Sequence, residues 1–177
     1  MSNYLRIEKN DLTNGPGIRV TIFFSGCSHK CEGCQNPESW DFNNGEIFTN
    51  AVEEKIFNYL DHPYIDGVSL SGGDPLNTYN RSTVLDLVKN IRNRFPEKSI
   101  WVWTGYLFEE LMENNICREI LSYIDVLVDG KFDKDIRKKD FLKKSWKKDL
   151  AYRGSSNQRV IDVKLSLKNN KAINLVV

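Results

Sequence analysis

The sequence predicts an α/β fold, a single-domain partial (open) β/α barrel with a mainly parallel sheet that spans residues 1–177. The first observation is that β-branched and aromatic runs alternate with stretches whose apolar residues recur at helical spacing, an order typical of crossover units in a parallel sheet. The second is length. A complete barrel of eight strand–helix units needs about 250 residues, more than the 177 of this chain. We therefore expect a barrel that stays open on one side.

The predicted elements follow one another in order along the chain. Residues 1–18 show little periodicity, and the Asn-Gly-Pro-Gly turn signal at 14–17 comes just before the first predicted strand. Strands are expected at 19–24, 67–71, 99–103 and 125–128, and helices at 50–61, 81–95 and, in two pieces, 107–122. Alternation then predicts a strand at 160–165, and another short strand is expected at 173–177.

A special sequence follows the end of each of the first four strands. These sequences are a cysteine loop at 25–36, Ser71-Gly72-Gly73-Asp74, Thr104-Gly105-Tyr106 and Asp129-Gly130-Lys131. In parallel barrels and open parallel sheets, ligands bind at the carboxyl ends of the strands. The four sequences are therefore expected to meet at one rim. A gap in the side of the barrel suits a substrate that is itself a segment of protein.

The cysteine loop contains three of the four cysteines, Cys27, Cys31 and Cys34, with the spacing C-x3-C-x2-C. Thiolates clustered on one short loop indicate a metal site. An iron–sulfur cube is normally held by four cysteines, one per iron. Three cysteines would leave one iron open, and an open iron is a place to bind and activate a small molecule.

A structural zinc site, as part of a zinc-stabilised binding module, is the alternative. Zinc takes four ligands in a tetrahedron, so His29, His62 or Cys117 would have to supply the fourth. His29 lies between two of the cysteines, which keeps a mixed zinc site open, although we expect it to be a loop residue near the metal. Cys117 lies among apolar residues of a predicted helix and is expected to be a buried structural thiol.

The cysteine loop after a strand, followed by Ser71-Gly72-Gly73-Asp74-Pro75, resembles the radical S-adenosylmethionine superfamily. Further stretches are similar to one family within it, the activating proteins of anaerobic ribonucleoside-triphosphate reductases: NGPGIR at 14–19, CQNPESW at 34–40, WVWTGY at 101–106, VDGK at 128–131 and RGSSNQ at 153–158. The resemblance covers nearly the whole chain. The cysteine spacing alone indicates only the superfamily, whereas the RGSSNQ stretch is far more specific.

The resemblance implies two cofactors, a 4Fe-4S cluster and S-adenosyl-L-methionine. A one-electron donor such as flavodoxin would reduce the cluster, and transfer of that electron to the sulfonium would give methionine and a deoxyadenosyl radical. The radical would take a hydrogen atom from a glycine-bearing loop of the partner, an anaerobic ribonucleoside-triphosphate reductase, and leave a glycyl radical there. Activators of other glycyl radical enzymes, such as pyruvate formate-lyase, share the cysteine spacing, but RGSSNQ and the short chain argue against them.

The resemblance also implies where the methionine part of S-adenosylmethionine would bind. Its amino and carboxylate groups would chelate the open iron beside Gly72, Gly73 and Asp74, where a backbone without side chains permits close approach. Asp129 is expected to organise the methionine end, directly or through a cation. Lys131 is a further candidate of the same kind.

The adenine end is expected to meet the cysteine loop itself. Many superfamily members carry an aromatic residue immediately before the third cysteine, where this chain has Gly33. We therefore expect backbone contacts from Gly33, Cys34 and Gln35 in place of stacking on a side chain. Asn36 is a further candidate for a cofactor contact.

Four polar residues of the RGSSNQ stretch, Arg153, Ser155, Asn157 and Gln158, are predicted to bind the partner. They are rich in hydrogen-bond donors and acceptors but lack the spacing of metal ligands. They follow residues 131–148, in which nine Lys or Arg stand against three Asp. Such a basic stretch is either a solvated face or a surface for an acidic region of the reductase.

The composition is that of a soluble globular chain, with 40% hydrophobic residues, 28% charged residues and a net charge of +1. The balanced charge argues against nucleic acid as a partner. No apolar run approaches the roughly 20 residues needed to span a bilayer, and residues 1–9 lack the apolar segment of a signal peptide. We expect a cytoplasmic protein without a membrane or nucleic-acid partner, in a compartment where clustered thiols stay reduced.

Replacement of Cys27, Cys31 or Cys34 by Ala is expected to abolish cleavage of S-adenosylmethionine, because each thiolate would hold one iron. Iron and methionine are measured after anaerobic reconstitution. Cys117→Ala is the matched control and should retain both cluster and cleavage. Full iron content and cleavage in Cys31→Ala would contradict the assignment.

Overall fold

The computed structural model describes residues 2–143 and 150–176, which form one seven-stranded sheet with helices packed against it. The strands are β1 (Asn3–Asp11), β2 (Arg19–Phe24), β3 (Glu46–Ile47), β4 (Gly67–Gly72), β5 (Ser99–Trp103), β6 (Val126–Asp129) and β7 (Arg159–Asp162). The helices are α1 (Asn50–Leu60), α2 (Arg81–Arg94), α3 (Phe108–Met112), α4 (Asn115–Tyr123), α5 (Lys134–Phe141) and α6 (Val163–Asn169), and a short 3-10 helix at Pro37–Trp40 follows the cysteine loop.

The strand order is β3-β1-β2-β4-β5-β6-β7. The four central strands, β2, β4, β5 and β6, are parallel, whereas β1, β3 and β7 are added antiparallel. The predicted α/β class and the parallel arrangement of the four rim strands are confirmed. The sheet is open within the described ranges, because β3 and β7 lie at opposite edges of the strand order.

The structure corrects three expectations about regular structure. Residues 1–18 contain β1, a long strand whose pairing with β2 has register shifts that interrupt the simple alternation of a strand. The strand expected at 160–165 ends at Asp162, whose carboxylate accepts a hydrogen bond from the Leu165 amide (2.9 Å) and caps α6. The short strand expected at 173–177 is reduced to a single bridge between Asn174 and Ile161, and Val177 lies outside the described residues.

The two faces of the sheet have different surroundings. On one face, alternate residues such as Ile22, Leu70 and Val102 pack with apolar residues of the helices in the main core. On the other face, the end of β2 and the end of β5 contribute Phe23 and Trp103 to the wall of a cavity. The helices therefore cover one side of the sheet and leave room for a site on the other. In the described part of the chain, no helix combines the length and apolarity needed to cross a bilayer.

A buried arginine ties together the beginnings of three parallel strands. The fully buried Arg19 guanidinium donates to the Ser69 hydroxyl (2.7 Å), the Val68 carbonyl (2.8 Å) and both the hydroxyl and the carbonyl of Ser99 (2.9 Å each), and also to the Pro16 carbonyl (3.2 Å). Burial lowers the pKa of Arg19 to about 10, which keeps the group charged at neutral pH. Arg19 thus closes the end of the sheet opposite the predicted rim.

Arg19→Met is expected to lower the free energy of unfolding by about 3 kcal/mol or more, because several buried oxygen atoms lose their donor. Urea denaturation followed by circular dichroism measures the loss. The matched control is Arg94→Met, in which an exposed arginine of α2 loses an ion pair with Glu54 and the expected change is about 1 kcal/mol or less. Equally small losses in both variants would contradict the structural role of Arg19.

Candidate functional site

A cavity of about 500 Å³ lies at the carboxyl ends of the parallel strands. All four rim sequences contribute to its wall, as the order of strands predicted. The contributing residues include Cys27, Cys31 and Cys34 of the cysteine loop, Gly72 and Gly73 after β4, Thr104 and Gly105 after β5, and Gly130 after β6. A cavity of this size is typical of sites for a small molecule or cofactor.

The cysteine loop directs three thiols to this cavity. Cys27 is buried, whereas Cys31 and Cys34 are partly exposed. Three residues with positive φ bend the loop: Gly26 (+93°), Gly33 (+74°) and Lys30 (+46°), the last a value that residues with side chains rarely adopt. Cys117 is buried in the main core, as expected for a structural thiol.

Cys34 Sγ accepts a backbone hydrogen bond from the Asn36 amide (3.4 Å). Amide N–H groups aimed at sulfur stabilise a thiolate, which is the form that binds metal.

Burial has the opposite effect on the two most enclosed thiols. It raises the pKa of Cys27 to about 11 and also raises the pKa of Cys31. These thiols are therefore protonated at neutral pH until a cation replaces the proton. The donor set fits a thiolate-bound metal centre better than an isolated reactive cysteine.

The zinc alternative receives no support from the geometry. Within residues 2–143 and 150–176, no group of three or more His, Cys, Asp or Glu side chains is arranged to hold a single metal ion. The side chain of His29 is directed to Asp74, with His29 Nε2 at 2.9 Å from Asp74 Oδ2. His29 is thus a loop residue near the thiols, as expected.

Asp74 connects several segments of the rim through hydrogen bonds. Its fully buried carboxylate accepts hydrogen bonds from the Thr104 hydroxyl (2.9 and 3.0 Å), the Gly105 amide (3.0 Å) and the Leu76 amide (2.9 Å), in addition to the His29 contact. Asp74 does not line the cavity formed by the described residues. Its carboxylate therefore holds residues of the wall in place without itself lining the cavity. Direct contact with a methionine group stays a prediction.

Gly72 and Gly73 both line the cavity, and both are required by packing. Gly72 has a φ of +98°, and a Cβ there would lie 2.6 Å from the Phe24 amide nitrogen. A Cβ on Gly73 would lie 2.7 Å from the Gly26 carbonyl oxygen and 2.8 Å from that of Ser39. The two glycines therefore let the end of β4 pack tightly against β2 and the cysteine loop, and they also leave part of the wall without side chains.

The six remaining residues expected to contact the cofactor divide into those that line the cavity and those that do not. Cys34, Gln35 and Asn36 line the cavity, whereas Gly33, Asp129 and Lys131 do not do so in the described part of the chain. Asp129 is fully buried and accepts hydrogen bonds from the Phe108 amide at the start of α3 (2.7 Å) and from Arg159 Nε (2.9 Å). Lys131 is exposed. The cofactor roles of all six residues stay predictions.

Many polar atoms of the RGSSNQ loop, residues 153–158, form hydrogen bonds with other groups of the protein. Gln158 Oε1 accepts from the Gly154 and Ser155 amides (2.8 and 3.2 Å), and Gln158 Nε2 donates to the Gly130 carbonyl (2.7 Å). The buried Ser155 hydroxyl accepts from the Asp133 amide (3.0 Å). Asn157 donates to the carbonyl of Lys131 (2.8 Å).

Of the four residues predicted to bind the partner, Arg153 and Gln158 line the cavity, and Asn157 is exposed beside it. Ser155 lies beneath the surface. Ser155, Asn157 and Gln158 hold the RGSSNQ loop in place through the hydrogen bonds above. The partner contact itself stays a prediction.

Four aromatic residues of the cavity wall were not predicted as site residues: Phe23 near the end of β2, and Trp103, Phe132 and Tyr152. Trp103 lies at the end of β5, Phe132 follows the Asp-Gly-Lys sequence after β6, and Tyr152 precedes the RGSSNQ loop with a φ of +59°. Trp103 Nε1 donates to the Tyr152 carbonyl (2.9 Å). The positions of Trp103 and Phe132 beside rim sequences are a usable signal, whereas nothing in the local pattern indicates Tyr152.

Comparisons with known proteins agree with the chemistry of this site. Residues 13–161 match the family described as "4Fe-4S single cluster domain". The chain is 45% identical over 158 residues to the anaerobic ribonucleoside-triphosphate reductase-activating protein of Enterobacteria phage T4, which covers 89% of this chain and 92% of that protein. It is 46% identical to the protein of the same name from Escherichia coli K12 (89% and 97%) and 42% identical to that from Haemophilus influenzae (92% and 99%).

His29→Ala is expected to accelerate the loss of a reconstituted iron–sulfur cluster to a chelator about tenfold to a hundredfold. The loop would lose a hydrogen bond to a buried carboxylate, which contributes about 1.5 to 3 kcal/mol. Gly105→Ala should act in the same direction, because its Cβ would lie 2.3 Å from the His29 ring. The decay of visible absorbance measures the rate.

His62→Ala is the matched control, since it removes the second of the two histidines and should leave the rate unchanged. Cluster loss at the wild-type rate in His29→Ala would contradict the anchoring role. Failure of His29→Ala to take up any iron would instead make His29 a ligand.

Proposed function

Because this chain belongs to the family of anaerobic ribonucleoside-triphosphate reductase-activating proteins, we propose that it activates such a reductase by generating a glycyl radical on it. The observation that carries the proposal is the convergence of Cys27, Cys31 and Cys34 with the Gly72-Gly73 wall on one cavity. The three thiols are the donor set of an iron–sulfur cluster with one open iron. The glycine wall offers backbone to a second ligand beside it.

Cys27, Cys31 and Cys34 would hold a 4Fe-4S cluster, and S-adenosylmethionine would occupy the adjoining part of the cavity. With both bound, the site would supply one-electron cleavage of the carbon–sulfur bond of S-adenosylmethionine. A 4Fe-4S cluster with one open iron takes one thiolate on each of the other three irons, and all three thiols line one cavity. An external one-electron donor, such as a flavodoxin, would supply the electron.

The chain's own residues have three tasks in this function. The Asn36 amide stabilises the Cys34 thiolate by a hydrogen bond. Burial of Cys27 keeps water and oxygen away from the innermost ligand. The rim held together by Asp74 keeps the cavity in one shape, so that a bound cofactor and a glycine loop meet in a fixed orientation.

The open side of the cavity is where we place the reductase. Arg153 lines the cavity, and Lys131, Lys138 and Lys139 are exposed nearby in sequence, on and before α5. These charges would meet an acidic surface around the glycine-bearing loop of the partner. We propose that the open sheet is curved as a partial barrel, which would admit that loop from the side. Residues 144–149 of the basic stretch lie outside the described residues.

The test of the function is activation of a reductase under anaerobic conditions. The chain is reconstituted with iron and sulfide, then mixed with an anaerobic ribonucleoside-triphosphate reductase, a one-electron reductant and S-adenosylmethionine. A glycyl radical signal in electron paramagnetic resonance, together with methionine formation, is the expected result. A colourless protein that binds one zinc ion and forms no radical would overturn the proposal.

Arg153→Ala is expected to reduce glycyl radical formation about tenfold to a hundredfold at limiting partner, because a charge-assisted contact contributes about 1.5 to 3 kcal/mol. Cleavage of S-adenosylmethionine without the reductase should change much less. Added salt should weaken the complex if the exposed lysines contribute, since charges are screened within about 8 Å at physiological ionic strength.

The control is Arg94→Ala on the helical side, which should leave both activities unchanged. Equal losses of both activities in Arg153→Ala would move Arg153 into the cofactor site. A complex whose affinity does not respond to salt would identify the basic stretch as a solvated face.

A further inference from the structure

The side chain of Asp129, the last residue of β6, lies on the face of the sheet that the helices cover. Side chains of a strand alternate between the two faces. Leu127 packs in the main core beneath the helices, so Asp129, two residues later, shares that face. Val128 lies on the opposite face, in an apolar cluster with Trp103, which lines the cavity. The carboxylate of Asp129 therefore lies on the side of the sheet away from the cavity.

Arg159, the first residue of β7, binds both oxygen atoms of this carboxylate. The two residues are paired directly in the antiparallel ladder of β6 and β7, so their side chains lie side by side on one face. Arg159 Nε donates to Asp129 Oδ1 (2.9 Å), and Arg159 Nη2 donates to Asp129 Oδ2. The Phe108 amide also donates to Asp129 Oδ2 (2.7 Å). These donors satisfy a carboxylate that has no exposed surface.

Glu109 of α3 holds the guanidinium of Arg159 in place. Its carboxylate accepts hydrogen bonds from Arg159 Nη1 (3.1 Å) and Nη2 (2.7 Å). These hydrogen bonds lower the pKa of Glu109, while the hydrogen bonds to Asp129 and Glu109 raise the pKa of Arg159. Bidentate contacts with two carboxylates fix the direction of a planar guanidinium. Asp129 and Arg159 thus form a charged pair of fixed geometry, the rim ion pair.

The rim ion pair leaves no net charge at Asp129 for a second cation. A buried carboxylate requires a neutralising partner, because burial without one costs a large free energy. Arg159 supplies that partner within hydrogen-bond distance. An inorganic cation, or the ammonium group of a methionine moiety, would meet the guanidinium as a like charge. The electrostatics therefore disfavour both ligands at this carboxylate.

The rim ion pair instead holds the loop 104–107, which connects β5 to α3. The Phe108 amide bound by Asp129 begins α3 directly after this loop. The Gly130 amide, next to Asp129 in the chain, donates to the Tyr106 carbonyl (3.1 Å). The far end of the loop is thus attached to the end of β6.

The loop 104–107 is part of the functional site. Thr104 and Gly105 line the cavity. The centre of the Tyr106 ring lies 4.6 Å from the centre of the His29 ring in the cysteine loop. A shift of the loop would move both the cavity wall and a ring that packs against the cysteine loop. The rim ion pair thus acts on the cavity without lining it.

We propose that Arg159 is a positioning residue and the permanent counter-ion of Asp129, so that the rim ion pair fixes the loop 104–107 and neither an inorganic cation nor the methionine part of S-adenosylmethionine binds at Asp129. Where it concerns S-adenosylmethionine, this inference rests on the proposed function. The pairing itself is tested on the full chain without any cofactor.

The first test measures thermal unfolding of the cofactor-free chain by circular dichroism. Arg159→Gln leaves a buried carboxylate without its cation and should lower the Tm by about 6 to 20 °C. Addition of Asp129→Asn removes that charge and keeps an oxygen atom for the Phe108 amide, so the double variant should recover at least half of the loss. If Arg159→Gln folds only together with Asp129→Asn, the pairing is equally supported. A double variant no more stable than Arg159→Gln would overturn it.

The second test measures the affinity of the cluster-loaded protein for S-adenosylmethionine by equilibrium dialysis. Arg159→Gln should weaken binding about three- to tenfold, the range that one displaced hydrogen bond of the wall produces. The double variant with Asp129→Asn should recover most of the affinity. If Asp129 bound the methionine end, Arg159→Gln would expose its charge and bind more tightly, or the double variant would bind no better than Arg159→Gln. Either result would overturn the inference.

The same dialysis tests for an inorganic cation at Asp129. The wild-type affinity is compared in potassium, sodium and tetramethylammonium chloride at equal ionic strength, with and without magnesium. Because Arg159 already supplies the charge, the affinity should stay constant within about twofold. A fall of about tenfold in tetramethylammonium that potassium, sodium or magnesium reverses would identify a bound cation and overturn the inference.

Arg92→Gln is the matched control, because it removes a similar pair at the opposite end of β6. Arg92 Nη2 lies 2.7 Å from Asp125 Oδ2, and the Asp125 carboxylate also accepts from the Ile100 amide (2.8 Å). This variant should lower the Tm but leave the affinity for S-adenosylmethionine unchanged. An equal loss of affinity in Arg92→Gln and Arg159→Gln would reflect general stability and overturn the positioning role.

The two proposals fail in different ways. A wild-type chain that takes up no cluster would overturn the proposed function and leave the results of thermal unfolding standing. A loaded wild-type chain that generates the glycyl radical, but whose affinity for S-adenosylmethionine requires an added inorganic cation, would overturn only the role of Arg159.

Discussion

The buried carboxylate of Asp74 is the interaction on which the functional end of this protein depends. The carboxylate forms a hydrogen bond with the His29 ring of the cysteine loop, and it accepts hydrogen bonds from the Thr104 hydroxyl and the Gly105 amide at the end of β5. The backbone amide of Asp74 donates to the Gly26 carbonyl (2.9 Å). A carboxylate without water must have its oxygen atoms satisfied by donors from the protein. Meeting that requirement brings three separate parts of the chain to one rim, and the thiols face the cavity because their loop is fixed there.

The opposite wall of the cavity is held by a second network with a different chemistry. Neutral amide and hydroxyl groups of the RGSSNQ loop hold the segment after β6, which contributes Gly130 and Phe132 to the cavity wall. Hydrogen bonds of this kind are individually modest. The rim around Asp74 instead contains hydrogen bonds to a buried carboxylate, and each of these contributes more. The cysteine loop is therefore fixed to β4 and β5 through Asp74.

Much of the fold and part of the site were predictable from the sequence. The helical and strand periods located the four parallel strands, and the sequences at their ends indicated a common rim. The division of the predicted helix at 107–122 into α3 and α4 followed from Asn114 and Asn115. The loss of regular alternation concealed β1, because its register shifts place residues off the simple two-residue period. The predicted strand at 160–165 was too long, because alternation does not show that Asp162 begins a helix with its side chain.

The sequence by itself determined the α/β class, the thiol-bearing loop and the residue types available for metal binding, since these depend on local periodicity and on spacing within one loop. Only the tertiary structure decided that Asp74 faces His29 and Thr104, and that Ser155 and Gln158 turn toward the protein. A polar side chain satisfies its hydrogen bonds with whichever groups lie nearest in space. In this protein those groups come from segments many residues away. A local sequence pattern therefore does not predict which groups they are.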